Sequence, residues 1–203
     1  MKKTSNEFLN KLSSGFVIWF YGLPSAGKTT LANALQVRLS QQSIKTMRLD
    51  GDVLRKGICS GLGFDANDRK ENIRRAAHVA KLGSDSGVVV IASLITPNEE
   101  FRDMVEDIIG RESLFRVFVS CPIEECVNRD VKGLYRKAIA GSLNTMTGID
   151  ATFEQPGPGE FFVDTSCDSV EECMNIVLQN LEARISCDCS PMRAPQVSMH
   201  DAE

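Results

Sequence analysis

Residues 16–30 read FVIWFYGLPSAGKTT, and this stretch decides the fold. Six apolar or aromatic residues, 16–21, have no polar face, so they form a strand buried on both sides. The chain then runs straight into Gly22-Leu23-Pro24-Ser25-Ala26-Gly27-Lys28-Thr29-Thr30. A lysine in that place is costly beside a core unless an anion meets it. Gly22-x4-Gly27-Lys28-Thr29 satisfies the phosphate-loop (P-loop) pattern, and it lies between a strand and a helix as that motif requires. Its glycines let successive backbone N–H groups turn toward phosphate oxygens, and the dipole of the following helix adds positive potential. Lys28 is expected to reach the β- and γ-phosphates, and the Thr29 hydroxyl to serve Mg²⁺.

Outward from this loop, strand-like runs alternate with helical ones. The helical stripe Leu31, Leu35, Leu39 predicts a helix over 28–41, followed by a short strand at 45–49. A helix is predicted over 68–82, with Ile73, Ala76, Ala77 and Ala80 on one face. Further strands are predicted at 88–94, 114–119 and 161–163. Helices are predicted at 101–109, from Pro122 at a first helical position, and at 170–185. The alternation predicts an α/β protein: a five-stranded parallel sheet with helices on both faces. The P-loop then lies at the carboxyl edge of the sheet, where such folds bind ligands. The domain is expected to span 15–186, with 1–14 as an N-terminal extension and 187–203 as a disordered tail.

The 203 residues are 42% apolar and 25% charged, as in an ordinary globular protein. A net charge of −4 argues against a general nucleic-acid binder. Apolar runs such as 16–21 and 88–91 are too short to span a bilayer, and the first fifteen residues have no apolar segment of a secretory signal. The seven cysteines form no Cys-x-x-Cys pair, which suits reduced thiols in the cytoplasm. Only His78 and His200 are present, against a histidine-based metal site or triad.

Three more stretches carry chemistry. "LDGDVLRKG", 49–57, places Asp50 and Asp52 at a strand's carboxyl end, suited to a metal-water ligand and a base near an acceptor hydroxyl. Taken alone it reads first as an Asp-Gly turn with Asp52 capping a helix. Arg55 follows one turn later. "LGFDANDRKENIRRAAHVAKL", 62–82, has Asp65 or Asn67 as a helix cap and projects Arg69, Asn72 and Arg75 to one side, with Phe64 just before. An aromatic with arginine and asparagine is equipment for a nucleotide acceptor. "RDVKGLYRKAIAG", 129–141, packs Arg129, Lys132, Arg136 and Lys137 into a basic lid, expected over about 129–158.

Together with "IASLITP" and "TGID", these stretches resemble the adenylylsulfate kinase family from Gly15 to about Asp164. The resemblance implies ATP-dependent phosphorylation of the 3′-hydroxyl of adenosine 5′-phosphosulfate, giving 3′-phosphoadenylyl sulfate and ADP in sulfate activation. It implies ATP and Mg²⁺, a homodimer and a cytoplasmic location. By resemblance, residues Gly22 to Thr30 cradle the phosphates and Arg129 lies near the ATP adenine. Thr29 and Asp50 serve the metal, and Asp50 and Asp52 act with Lys28 in catalysis. Asp52, Arg55, Phe64, Arg69 and Asn72 hold the acceptor, Ile95 lines its base pocket, and Lys132 with Leu134 close over it. A related P-loop kinase acting on another nucleotidyl or phosphorylated small molecule is the alternative.

The chain departs from the family in places. Thr96 stands where the family has a serine described as phosphorylated, and it enters the catalytic set by that alignment; direct transfer needs no such intermediate. Met146 replaces a phenylalanine that stacks on the acceptor's adenine, although a thioether also packs on an aromatic face. Asn98-Glu99 replaces Tyr-Arg or His-Arg, with Arg102 a few residues on. Val131 replaces a proline, and Phe153 a tyrosine.

Overall fold

A computed structural model describes residues 6–142 and 146–186. In chain order the helices and strands are α1 (Asn6–Ser13), β1 (Phe16–Tyr21), α2 (Lys28–Ser40), β2 (Thr46–Asp50), α3 (Gly51–Lys56), α4 (Ala66–Asp85) and β3 (Val89–Ser93). They continue with α5 (Glu99–Ile109), β4 (Leu114–Ser120), α6 (Ile123–Arg129), α7 (Leu134–Ile139), β5 (Phe162–Asp164) and α8 (Val170–Ser186). The five strands form one parallel sheet in the order β2-β3-β1-β4-β5.

β1 is central, and all six of its residues are buried. Its side chains alternate between two cores, as the two-residue period of a strand requires. Phe16, Ile18 and Phe20 pack with Leu31, Leu35 and Leu39 of α2 and with Val177 and Leu181 of α8. Val17, Trp19 and Tyr21 face the opposite way, onto Ile73, Ala76, Ala77 and Ala80 of α4 and Phe101, Val105 and Ile109 of α5. A strand with no polar side chain on either face can be stable only in this sandwich.

Residues 6–13, within the expected N-terminal extension, form α1. Phe8 and Leu12 are buried in the first core, and full burial stabilises by about 1.5–3 kcal/mol for each such side chain. α1 is therefore part of the packed body, with Lys11 Nζ donating to the Ile185 carbonyl of α8 at 3.1 Å. Asp50 rather than Asp52 caps α3, accepting from the Asp52 amide. Asp65, one of the two candidates, caps α4 by accepting from the Asp68 amide. Pro122 occupies the cap position of α6, one residue before the expected place. The expected tail at 187–203 and the lid residues 143–145 lie outside the described residues.

Because all strands are parallel, the ends of β1, β2, β3, β4 and β5 present their following loops on one edge. A buried staple shapes that edge. Arg102, 1% exposed, donates to the Glu154 carbonyl and to Glu99, while the Glu154 amide donates to the Pro97 carbonyl at 2.8 Å. This pins the chain returning from the 146–154 segment against the loop after β3.

Candidate active site

The loop between β1 and α2 is shaped by contacts that only glycine permits. Gly22 has φ +147°, and a Cβ there would lie 2.5 Å from the Val119 carbonyl oxygen. Gly27 is left-handed and provides no side-chain cap for α2, so the first amides of a 13-residue helix are left for an anion. Lys28 curls back, its Nζ donating to the Gly22 and Leu23 carbonyls at 3.0 and 2.6 Å. Burial pushes its ammonium down to about 8, offset in part by Cys126, while Lys132 adds to the depression. A cation held by neutral carbonyls and penalised by burial is poised for an anion.

Asp50 ends β2 beside this lysine. Its carboxylate accepts from Thr29 Oγ1 at 2.9 Å, Ser93 Oγ at 3.1 Å and the Asp52 amide at 3.0 Å. Burial opposes ionisation, but these bonds and the Lys132 ammonium outweigh it and hold Asp50 below the usual carboxylate range. Asp50 is therefore a poor base and a good cation ligand. A hydroxyl and an ionised carboxylate already in contact fit a divalent cation, which prefers hard oxygen donors.

Asp52, on the first turn of α3, pairs with Lys132; both side chains are about half exposed, at 55% and 53%. Lys132 is delivered by a tight turn. Asp130, at φ +20°, accepts from the Tyr135 and Arg136 amides, which starts α7. The buried Tyr135 hydroxyl donates to the Pro24 carbonyl at 3.1 Å, so α7 is tied to the P-loop. The four cations of the predicted lid therefore separate. Arg129 and Lys132 line the cavity, whereas Arg136 and Lys137 are exposed and lie outside its lining.

The far wall is aromatic and basic. The Arg55 guanidinium lies 4.3 Å over the Phe64 ring and donates to the Leu62 and Gly63 carbonyls. Arg69 Nε donates to the Phe64 carbonyl at 2.7 Å. Burial, then the neighbouring Arg55, lowers the Arg69 pKa. Asn72 is buried with an Oδ1 that has no partner. A buried polar atom is normally paired, and Asn72 is also one of the residues that line the cavity described next.

One cavity of about 580 Å³ joins all of this. Of the site residues expected from sequence, those lining it run from Pro24, Ser25, Gly27, Lys28, Thr29 and Thr30, through both acids, to Arg55, Phe64, Arg69 and Asn72. Ile95, Thr96, Arg129, Lys132, Leu134 and Met146 line it too. Gly22, Leu23 and Ala26 lie outside its lining: the first two offer their carbonyls to Lys28, and the Ala26 carbonyl accepts from Thr165 Oγ1 at 2.8 Å. A second cavity, of about 510 Å³, lies behind Leu23. Asp150 and Asp164 line it and, among the described residues, no lysine or arginine does, so it does not suit a polyphosphate.

A family model described as adenylylsulphate kinase matches residues 14–164. The chain belongs to the adenylylsulphate kinase family. It is 47% identical over 169 residues to an adenylyl-sulfate kinase of Bacteroides thetaiotaomicron, covering 83% of this chain and 84% of that one. Among solved structures it is similar to the Mycobacterium tuberculosis APS kinase in complex with AMPPNP and APS. That similarity is 37% in identity with a TM-score of 0.78, over 83% of this chain and 98% of that one. It is also similar to a hexameric APS kinase from Thiobacillus denitrificans, at 26% identity and TM-score 0.63, over 85% of this chain and 30% of that one.

Several residues that no motif of this adenylylsulphate kinase family chain marks also line the cavity. Thr165, Asp168, Val170 and Cys173 close its P-loop end. Arg129 donates to the Thr165 carbonyl at 2.7 Å and to its hydroxyl at 3.2 Å. The available signal was "VDTS", polar residues directly after a parallel strand, where ligands gather in such sheets. Thr147, next to Arg69, lines it as well.

Thr96, at the cavity wall, also holds a buried hydrogen bond. It is 1% exposed, has φ +43°, and its hydroxyl accepts from the Trp19 indole at 2.9 Å. The Thr96→Val variant is expected to orphan that buried N–H and lose about 1–3 kcal/mol of stability, with little change in kcat. Denaturant unfolding beside steady-state turnover checks this. Lost turnover at unchanged stability would return Thr96 to the reacting groups.

Proposed function

We propose that this chain transfers the γ-phosphoryl group of ATP to the 3′-hydroxyl of adenosine 5′-phosphosulfate, giving 3′-phosphoadenylyl sulfate and ADP. One observation carries the reading: a single cavity runs from Lys28 and Thr29 to Phe64, Arg69 and Asn72, with the Asp52–Lys132 pair between its halves. Such a cavity supports a reading in which two anionic nucleotides meet end to end.

The residues divide the work as follows. The P-loop amides and Lys28 hold the β- and γ-phosphates and neutralise charge as it develops on the transferring group. Thr29 and Asp50 would hold Mg²⁺, directly or through water, and the ion would supply positive charge to offset that of the phosphates. Asp52 takes the proton of the acceptor hydroxyl, or orients that hydroxyl for attack. Arg55, Arg69 and Lys132 bind the phosphosulfate, where charge-assisted bonds discriminate sharply. Phe64 and the Ile95 and Met146 side chains receive the adenine, and Leu134 closes over it. Arg129 and Thr165 bound the ATP end.

The test is turnover with ATP and adenosine 5′-phosphosulfate, with the product identified by mass and by loss of label to a 3′-phosphatase. Absence of product would overturn the reading. Met146, buried in the cavity wall, favours a second one, in which a related nucleotidyl compound is the preferred acceptor. A panel of acceptors separates the two. Self-association as a homodimer and a cytoplasmic location belong to the proposal; sedimentation of the purified protein tests the first. Five cysteines are free among the described residues, and no described helix is long and apolar enough to cross a membrane.

The depressed Lys28 gives a pH dependence. Bound phosphate favours the protonated ammonium, so affinity is present below the free-enzyme value of about 8 and is lost as pH rises through it. The expected profile of kcat/KM for ATP falls above about pH 8, while kcat at saturating ATP stays level to higher pH. A flat kcat/KM profile to pH 10 would separate Lys28 from ATP binding.

A further inference from the structure

We infer that Thr147 is a positioning residue for the acceptor site: its hydroxyl fixes the guanidinium of Arg69, and through it the binding of the phosphosulfate. This rests on the proposed role of Arg69. Thr147 is 2% exposed, and its Oγ1 accepts from Arg69 Nη1. Arg69 Nε is held separately by the Phe64 carbonyl. Two anchors on different nitrogens fix both the plane and the depth of the guanidinium. A long arginine side chain otherwise loses much rotamer freedom on meeting its ligand, which weakens binding.

The hydroxyl is not needed to form the turn that carries it. The Gly148 amide donates to the Ala151 carbonyl at 2.7 Å, and the Ile149, Asp150 and Ala151 amides all donate to the Met146 carbonyl. The turn is also seated from outside. Gly148 has φ +93°, and a Cβ there would lie 2.9 Å from Leu23 Cδ2 and 3.3 Å from Ile123 Cδ1. The backbone of Thr147 is thus braced against the P-loop, and its side chain spans 78 positions of sequence to Arg69. The turn couples the place where the acceptor arginine stands to the place where the ATP loop stands. Near-attack alignment of two substrates depends on such placement, because errors of about 1 Å can cost a hundredfold in rate.

Thr147→Val keeps the shape and removes the acceptor atom. Its expected effect is a rise of about tenfold in KM for adenosine 5′-phosphosulfate, with KM for ATP and the melting temperature unchanged. Thr147→Ser is expected to restore the wild-type KM. In the Arg69→Ala background, Thr147→Val is expected to add nothing. If it adds the same factor there, or raises both KM values together, the positioning role is overturned. If Arg69→Ala alone leaves the acceptor KM unchanged, the assignment of Arg69 fails instead, which keeps the two outcomes apart.

Discussion

Lys28→Ala is expected to lower kcat/KM for ATP by on the order of 10³-fold or more, at unchanged fold. Among the described residues the ammonium donates hydrogen bonds to the Gly22 and Leu23 carbonyls. Those carbonyls remain available to water when it is removed. Burial has already depressed the lysine, so its charge opposes folding near neutrality. The sign follows from proton counts. Between about 8 and 10.5 the unfolded chain holds more protons than the folded one, so stability rises with pH across that window. Removing Lys28 is therefore expected to leave the melting temperature at pH 7 equal or higher. Coupled ADP release and calorimetry measure the two effects. Near-normal turnover in the folded variant would sink the assignment of the P-loop.

The second large effect is expected at Asp52. Asp52→Asn keeps the volume of the side chain and leaves the backbone amide free to donate to Asp50, so the start of α3 survives. It removes the carboxylate that faces Lys132. If that carboxylate takes or orients the acceptor proton, kcat falls by about 10²–10⁴-fold, with far less change in the acceptor KM. A change in KM alone would make Asp52 a binding group. Comparison with Asp50→Asn separates the two acids. Asp50 is held ionised by three hydrogen bonds, so its loss is expected to show as a weaker response to added Mg²⁺.

Much of this site was legible before any coordinates. The P-loop was legible because spacing alone specifies it: glycines at fixed offsets, then lysine and threonine, between a strand and a helix. Arg69 and Asn72 were legible because three-residue spacing on a helix puts side chains on one side. Asp50 and Asp52 were ambiguous, because a cap and a metal ligand call for the same residue type. The structure divides the roles, with Asp50 both capping α3 and holding Thr29, and Asp52 turned to Lys132.

By itself the sequence determined the α/β class, the central strand and the phosphate loop. An apolar run with no polar face, followed by that loop pattern, has few stable solutions. The tertiary structure decided which cations face the ligand, because Asp130 and Tyr135 set the direction of α7 and leave Arg136 outside. It decided that Thr96 serves Trp19, a partner 77 positions away. It brought Thr165 to Ala26 and Thr147 to Arg69. Periodicity reports which face of an element is apolar. It carries no information on which distant element will cover that face, and these contacts are made only once the sheet order brings the elements together.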